Sequence, residues 1–205
     1  MRIGIDFDNT IADYDRVFPM AAVEMGLLSG SAANSKAAVR AILRNRDGGE
    51  IDWQRLQGQV YGQYMSNAEL IEGVGAFLLT AKASGSNVQI VSHKTKYGHF
   101  DTAEIDLHEA ARSWMSTSGF FEANRFGISP DAISFLPTRA EKVNRILQLN
   151  LDVFIDDLPE VFSEPGFPSA TRKLLFTNGK SIPKGPFEQI SDWTGLEKTV
   201  FCRRI

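Results

Sequence analysis

Two aspartates with one residue between them, Asp6 and Asp8 in Arg2-Ile3-Gly4-Ile5-Asp6-Phe7-Asp8-Asn9-Thr10, have the type and spacing that could do chemistry. Ile3, Ile5 and Phe7 alternate with Gly4, Asp6 and Asp8, so a strand here puts its apolar side chains on one face and both acids on the other. Carboxylates that close repel one another, and burying them is costly unless a cation or a proton lies between them. An all-oxygen ligand set of that kind suits Mg²⁺. Taken alone, the same pair would also serve as a solvated turn, so its meaning depends on what the rest of the chain brings to it.

The chain has 205 residues, enough for one sizeable core plus an insertion, and a net charge of −3. That balance gives no basic footprint for nucleic acid and no polybasic patch for a membrane surface. The single cysteine, Cys202, leaves no internal disulfide framework and no cysteine-rich zinc site. No apolar run is long enough for a membrane span or a signal peptide. The expectation is a soluble, cytoplasmic protein.

Several elements must position the acids. After Thr10, residues 11–28 have roughly helical apolar spacing interrupted by Pro19. Asn34 or Ser35 can cap a second helix with Val39, Ile42 and Leu43 on one face, and a third starts near Ile51 with Leu56, Val60, Tyr61 and Tyr64. No strand-like run appears before Glu72, which predicts an all-helical insertion over 16–72. The aromatics Trp53, Tyr61 and Tyr64 read as its core. A helix through Val74, Phe77, Leu78 and Ala81 ends at Gly85, and strands follow at 87–92, 132–136, 153–155 and 173–177. Asp101-x-x-Glu104 has a capping pattern before the helix of Leu107, Ala110, Ala111 and Trp114, and Thr138-x-x-Glu141 has the same pattern ahead of Lys142. Strands separated by helices predict an α/β fold: a doubly wound, mainly parallel, five-stranded sheet. Ligands of such sheets bind beyond the strands' C-terminal ends. That rule brings Asp6, Asp8, Ser92, Asp156 and Asp157 to one rim, with Lys142 close by.

Asp6-Phe7-Asp8-Asn9-Thr10, then Ser92, then Lys142, then Asp156-Asp157, resembles the four ordered motifs of the haloacid dehalogenase (HAD) superfamily. The resemblance spans the core, and the helical insertion resembles the cap that many members carry after the first strand. It implies a catalytic core over 1–15 and 73–205 and a cap over 16–72. It also implies Asp6 as nucleophile toward a phosphoryl group, and Asp8 as the acid for the leaving oxygen and then the base for water. Mg²⁺ would be held by Asp6, the Asp8 backbone carbonyl and Asp156, with Asp157 in support. Ser92 and Lys142 would bind phosphate, and Asn9, Thr10 and His93 border that site. A helical cap would restrict entry to a small phosphorylated metabolite, such as a sugar phosphate or nucleotide. Asp8 argues against dehalogenation, and the absence of an evident cap lysine argues against phosphonate cleavage.

Plainer roles stand beside these. Ser92 could simply end a strand, Asp157 could cap the helix at Pro159, and Thr10 could order the turn rather than touch substrate. Lys94 and Lys96 could form an anion-binding lip or simply be solvated. A lysine in a first helical turn opposes the helix dipole, so Lys142 calls for an anionic partner. Phosphatase and phosphotransferase chemistry both fit the motifs, and so does a non-catalytic phosphate-binding module on the same fold. A receiver domain does not fit, because its phosphorylated aspartate follows the third strand and here that strand ends at Leu136-Pro137.

Overall fold

The computed structural model describes residues 1–30, 32–100 and 102–202. Its chain divides into two compact units, Met1–Ile11 with Leu70–Lys94 and Gly119–Ile205, and Ala12–Glu69 with Thr95–Ser118. The second unit therefore takes in the 95–118 segment, which the sequence boundaries left with the core.

The first unit is built on strands β1 (Arg2–Ile5), β4 (Asn87–His93), β5 (Ile133–Leu136), β6 (Val153–Asp156), β7 (Arg172–Phe176) and β8 (Glu188–Ile190). They form a six-stranded sheet in the order β5-β4-β1-β6-β7-β8, parallel throughout. The expected five strands become six because β8 lacks the signature of a buried strand. Its residues are mostly exposed, and Arg172 ties it to β7 by donating from Nη2 to Glu188 Oε2 at 2.7 Å. β1 is central and covered on both faces, not one. A Cβ at Gly4 would run into the side chains of Leu151 and Phe154, so only glycine fits there.

Alternation along the strands separates two layers of helix. On one face, Val91, Phe154 and Leu175 pack with Val143 and Ile146 of α6 (Arg139–Gln148) and with Val161 and Phe162 of α7 (Pro159–Phe162). On the other, Phe176 meets Trp193 of α8 (Trp193–Phe201), whose ring lies 4.9 Å from Phe77 of α4 (Val74–Ala83). Gly73, at φ +87°, enters α4 where a side chain would strike Trp193 Cβ at 2.7 Å.

The second unit contains α1 (Val17–Glu24), α2 (Lys36–Arg44), α3 (Gly49–Tyr61) and α5 (Leu107–Thr117). Pro19 lies in the first turn of α1 rather than interrupting it, because N–H groups of a first turn have no intrahelical acceptor. Ser35 caps α2, its hydroxyl accepting from the Ala38 N–H at 3.2 Å. Phe18 stacks on Trp53 at 5.0 Å, and Tyr14 meets Tyr61 edge-on; Trp53 is core as expected, whereas Tyr61 and Tyr64 are only half-buried. Two expectations are corrected. The insertion is not all-helical, since β2 (Ala12–Asp13) pairs with β3 (Glu69–Leu70), strands too short to leave an alternating pattern. The cap of α5 is Asp106, which accepts from the N–H groups of His108 and Glu109, while Glu104 has a left-handed backbone and Asp101 lies outside the described residues. No helix among the described residues is long and apolar enough to cross a membrane.

Candidate active site

Asp6 follows directly on β1. Its N–H donates to Ile155 O at 2.9 Å, extending the parallel pairing by one residue, and its side chain is buried. The chain then turns at Asn9, whose φ of +59° is left-handed; among residues with a side chain, asparagine tolerates this best. Thr10 is fully buried, with its hydroxyl 3.4 Å from Asp6 Oδ2 and its carbonyl accepting from Trp193 Nε1 at 3.1 Å. It orders the turn beneath Asp6.

The capping pattern before α6 forms as the sequence indicates. Thr138 accepts from the Glu141 N–H at 3.2 Å, which places Lys142 in the first turn. The Lys142 ammonium is 1% exposed and lies 2.6 Å from both Asp6 Oδ1 and Asp156 Oδ2. These carboxylates are the anionic partners its unfavourable place on the helix calls for. Burial alone would lower its pKa, but Asp156 and Asp6 together outweigh that and raise it above the ordinary lysine range. Asp156 is also fully buried, and its Oδ1 accepts from the Leu158 N–H at 2.9 Å. Burial raises the pKa of its carboxyl, Lys142 pulls it back, and the Asp6 charge pushes it up again. Asp157 is half-buried, and one carboxylate oxygen from each of Asp6, Asp156 and Asp157 lies within 4.8 Å of the others. Leu158 takes the N-cap position of α7, and no side chain caps that helix. A single ammonium does not balance three carboxylates. The donor set is oxygen only and short of positive charge, which suits a hard divalent cation.

Ser92, on β4, is 1% exposed, and its hydroxyl makes no hydrogen bond within the described residues. A buried hydroxyl without a partner costs about 1–3 kcal/mol, so it is poised for a ligand oxygen. His93 turns outward instead. Its Nε2 is 2.9 Å from Pro137 O, and since a carbonyl can only accept, that nitrogen carries the proton.

The two loop lysines differ. Lys96 is exposed, whereas Lys94 is 4% exposed with its ammonium 3.1 and 3.0 Å from Asp8 Oδ1 and Oδ2. Lys94 is the site residue that sequence reasoning undervalued. The available signal was its spacing of two from Ser92, which keeps both on one side while the strand continues. It does continue, because the Lys94 N–H donates to Leu136 O at 2.9 Å.

No protein-family model matches this sequence, and no curated protein does. Solved structures do match over nearly the whole chain. A HAD family hydrolase from Deinococcus radiodurans, solved with bound phosphate and sodium, is similar at TM-score 0.58 and 15% identity, covering 97% of this chain and 94% of that one. A predicted phosphoglycolate phosphatase from Haemophilus somnus is similar at TM-score 0.56 and 18% identity, covering 96% of both chains. Protein Tyrosine Kinase A from Mycobacterium tuberculosis is similar at TM-score 0.60 and 14% identity, covering 98% of this chain and 97% of that one. At such identities the likeness is one of fold, and the fold of this chain is that of the HAD-superfamily hydrolases.

Proposed function

We propose that this protein is a Mg²⁺-dependent phosphoric monoester hydrolase that cleaves a small phosphorylated metabolite through an aspartyl-phosphate on Asp6. The observation that carries this reading is the buried meeting of Asp6, Lys142 and Asp156, with Asp157 within ligand distance. Structural stability alone gives little reason to desolvate such a cluster, since apolar residues of similar volume are often as stable or more so. Asp6, Asp156 and Asp157 would hold Mg²⁺, which when bound offsets charge on the phosphoryl group and lets an anionic nucleophile approach it.

In the first step an Asp6 carboxylate oxygen bonds to phosphorus, the ester P–O bond breaks, and Asp8 gives its proton to the departing alkoxide oxygen. In the second, Asp8 takes a proton from water, the water oxygen bonds to phosphorus, and the bond to Asp6 breaks to release phosphate. Ser92 Oγ donates to a phosphoryl oxygen, while Lys142 steadies both the nucleophile and the charge developing beside it. The single cysteine, exposed and unpaired, supports a cytoplasmic location.

The likeness to Protein Tyrosine Kinase A favours a second reading, in which an acceptor hydroxyl replaces water in the second step. Phosphate release from a panel of phosphorylated metabolites, with Mg²⁺ and with chelator, tests both. Release by the wild type should stop with chelator and fall by about 10⁴-fold or more in Asp6→Asn, the scale seen when a nucleophile is removed. Equal release by Asp6→Asn would end the aspartyl-phosphate mechanism, and loss of substrate without free phosphate would favour transfer.

A further inference from the structure

We propose that Lys94 is the positioning residue for Asp8, holding its carboxylate at the angle from which it protonates the leaving oxygen. The inference rests on the hydrolase reading above and adds a residue to it. The Lys94 ammonium bridges both Asp8 oxygens at 3.1 and 3.0 Å, a two-point contact that fixes where the carboxylate lies and how it is rotated. The lysine side chain is 3% exposed and Asp8 is 16% exposed, so one end of the pair is buried and the other faces outward.

The route the side chain takes explains this. The β1–β4 register pairs Ile5 with Ile90, so Ser92 and Lys94 share the parity of Ile5, the face opposite Asp6. The backbone of Lys94 is pinned to Leu136 O, and its ammonium lies over Phe7, 5.8 Å from the ring centroid. Phe7 is in turn held edge-on against Phe135 at 6.3 Å. The lysine is thus anchored at its backbone by β5, at its ammonium by Phe7 and Asp8, and is buried between. Lys142 and Lys94 divide the two aspartates between them, one on each. Proton transfer depends on the orientation of the donor as well as its identity. A buried lysine whose ammonium bridges one half-buried carboxylate serves orientation better than it serves packing.

The test compares single-turnover release of the leaving alcohol by wild type, Lys94→Met and Lys94→Arg. The substrates are the best alkyl monoester found above and p-nitrophenyl phosphate, whose leaving group needs little protonation. Lys94→Met, which fills the same space, should slow release from the alkyl ester by about 10²-fold or more, the scale of a misplaced general acid. Release from the nitrophenyl ester should fall severalfold at most, with KM little changed, and Lys94→Arg should recover part of the alkyl-ester rate. Equal loss on both substrates, or loss through KM alone, would overturn the assignment in favour of substrate binding or simple support of the fold. If Lys94→Met does not fold, the ratio between substrates in Lys94→Arg decides the matter the same way. A wild type with no Asp6-dependent release would sink the hydrolase reading, and the role of Lys94 with it. An intact wild-type signal with unchanged substrate selectivity in the variants would sink only the role of Lys94.

Discussion

Among the described residues, the unit of Ala12–Glu69 and Thr95–Ser118 buries no charged side chain, whereas the sheet-bearing unit encloses Asp6, Lys94, Lys142 and Asp156. The buried hydroxyls Thr10, Ser92, Thr171 and Thr177 lie in that unit too. The helical unit is held by area: Phe18, Val39, Leu56 and Val60 leave water together, and nothing in that set needs a specific partner. The sheet unit has an apolar core of its own and carries, in addition, desolvated charges that stability does not require. Buried charge therefore sets the sheet unit apart, while the helical unit buries apolar area without it.

Substitutions in the two units should separate these cases. Lys142→Met leaves Asp6 and Asp156 facing each other without a cation, and unfolding in urea should show a loss of about 3–5 kcal/mol. Added Mg²⁺ should restore part of that loss, and more than it adds to wild type. A variant as stable as wild type without metal would break the contrast. Leu56→Ala empties space in the helical unit and should cost about 3 kcal/mol, with no recovery in Mg²⁺ beyond what wild type gains. Ser35→Ala removes only the cap of α2 and should cost about 1 kcal/mol in the same measurement.

The smallest effect concerns Asp106. Partial burial would raise the pKa of its carboxyl, but the N–H groups of Glu109 and His108, then Lys96, more than offset this and hold it below the usual range. A carboxyl depressed in the folded state adds stability that is full above its unfolded value, about 3.9. That stability is lost as pH falls through the lower folded value. Asp106→Asn keeps a capping oxygen and should flatten this part of the acid limb. An unchanged slope in acid unfolding below about pH 4 would remove Asp106 as its source.

The helical unit was largely legible in the sequence because its signals are local. Val39 and Leu43 lie four apart on α2, and Trp53, Leu56 and Val60 recur at helical spacing on α3, so periodicity alone identifies the buried stripe. Strands β1 and β4 to β7 and the cap of α6 were legible for the same reason. β2, β3 and β8 were not, because strands of two or three residues are defined by their partners. The boundary at Thr95–Ser118 was missed for a similar reason, since a helix pattern does not say which core it joins.

For the site, the order of Asp6, Asp8, Ser92, Lys142 and Asp156-Asp157 along the chain determined both the fold expectation and the candidate residues, through strand ends that side-chain alternation and helix caps identify. Only the tertiary structure decided which cation meets which acid. Lys142 and Asp6 are far apart in sequence yet 2.6 Å apart in space. Lys94 reads like the exposed Lys96 until the pairing of β4 with β5 buries it against Asp8. Local sequence sets periodicity and caps because these depend on neighbours within a turn or two. Desolvation and ion pairing depend on segments that only the closed sheet brings together.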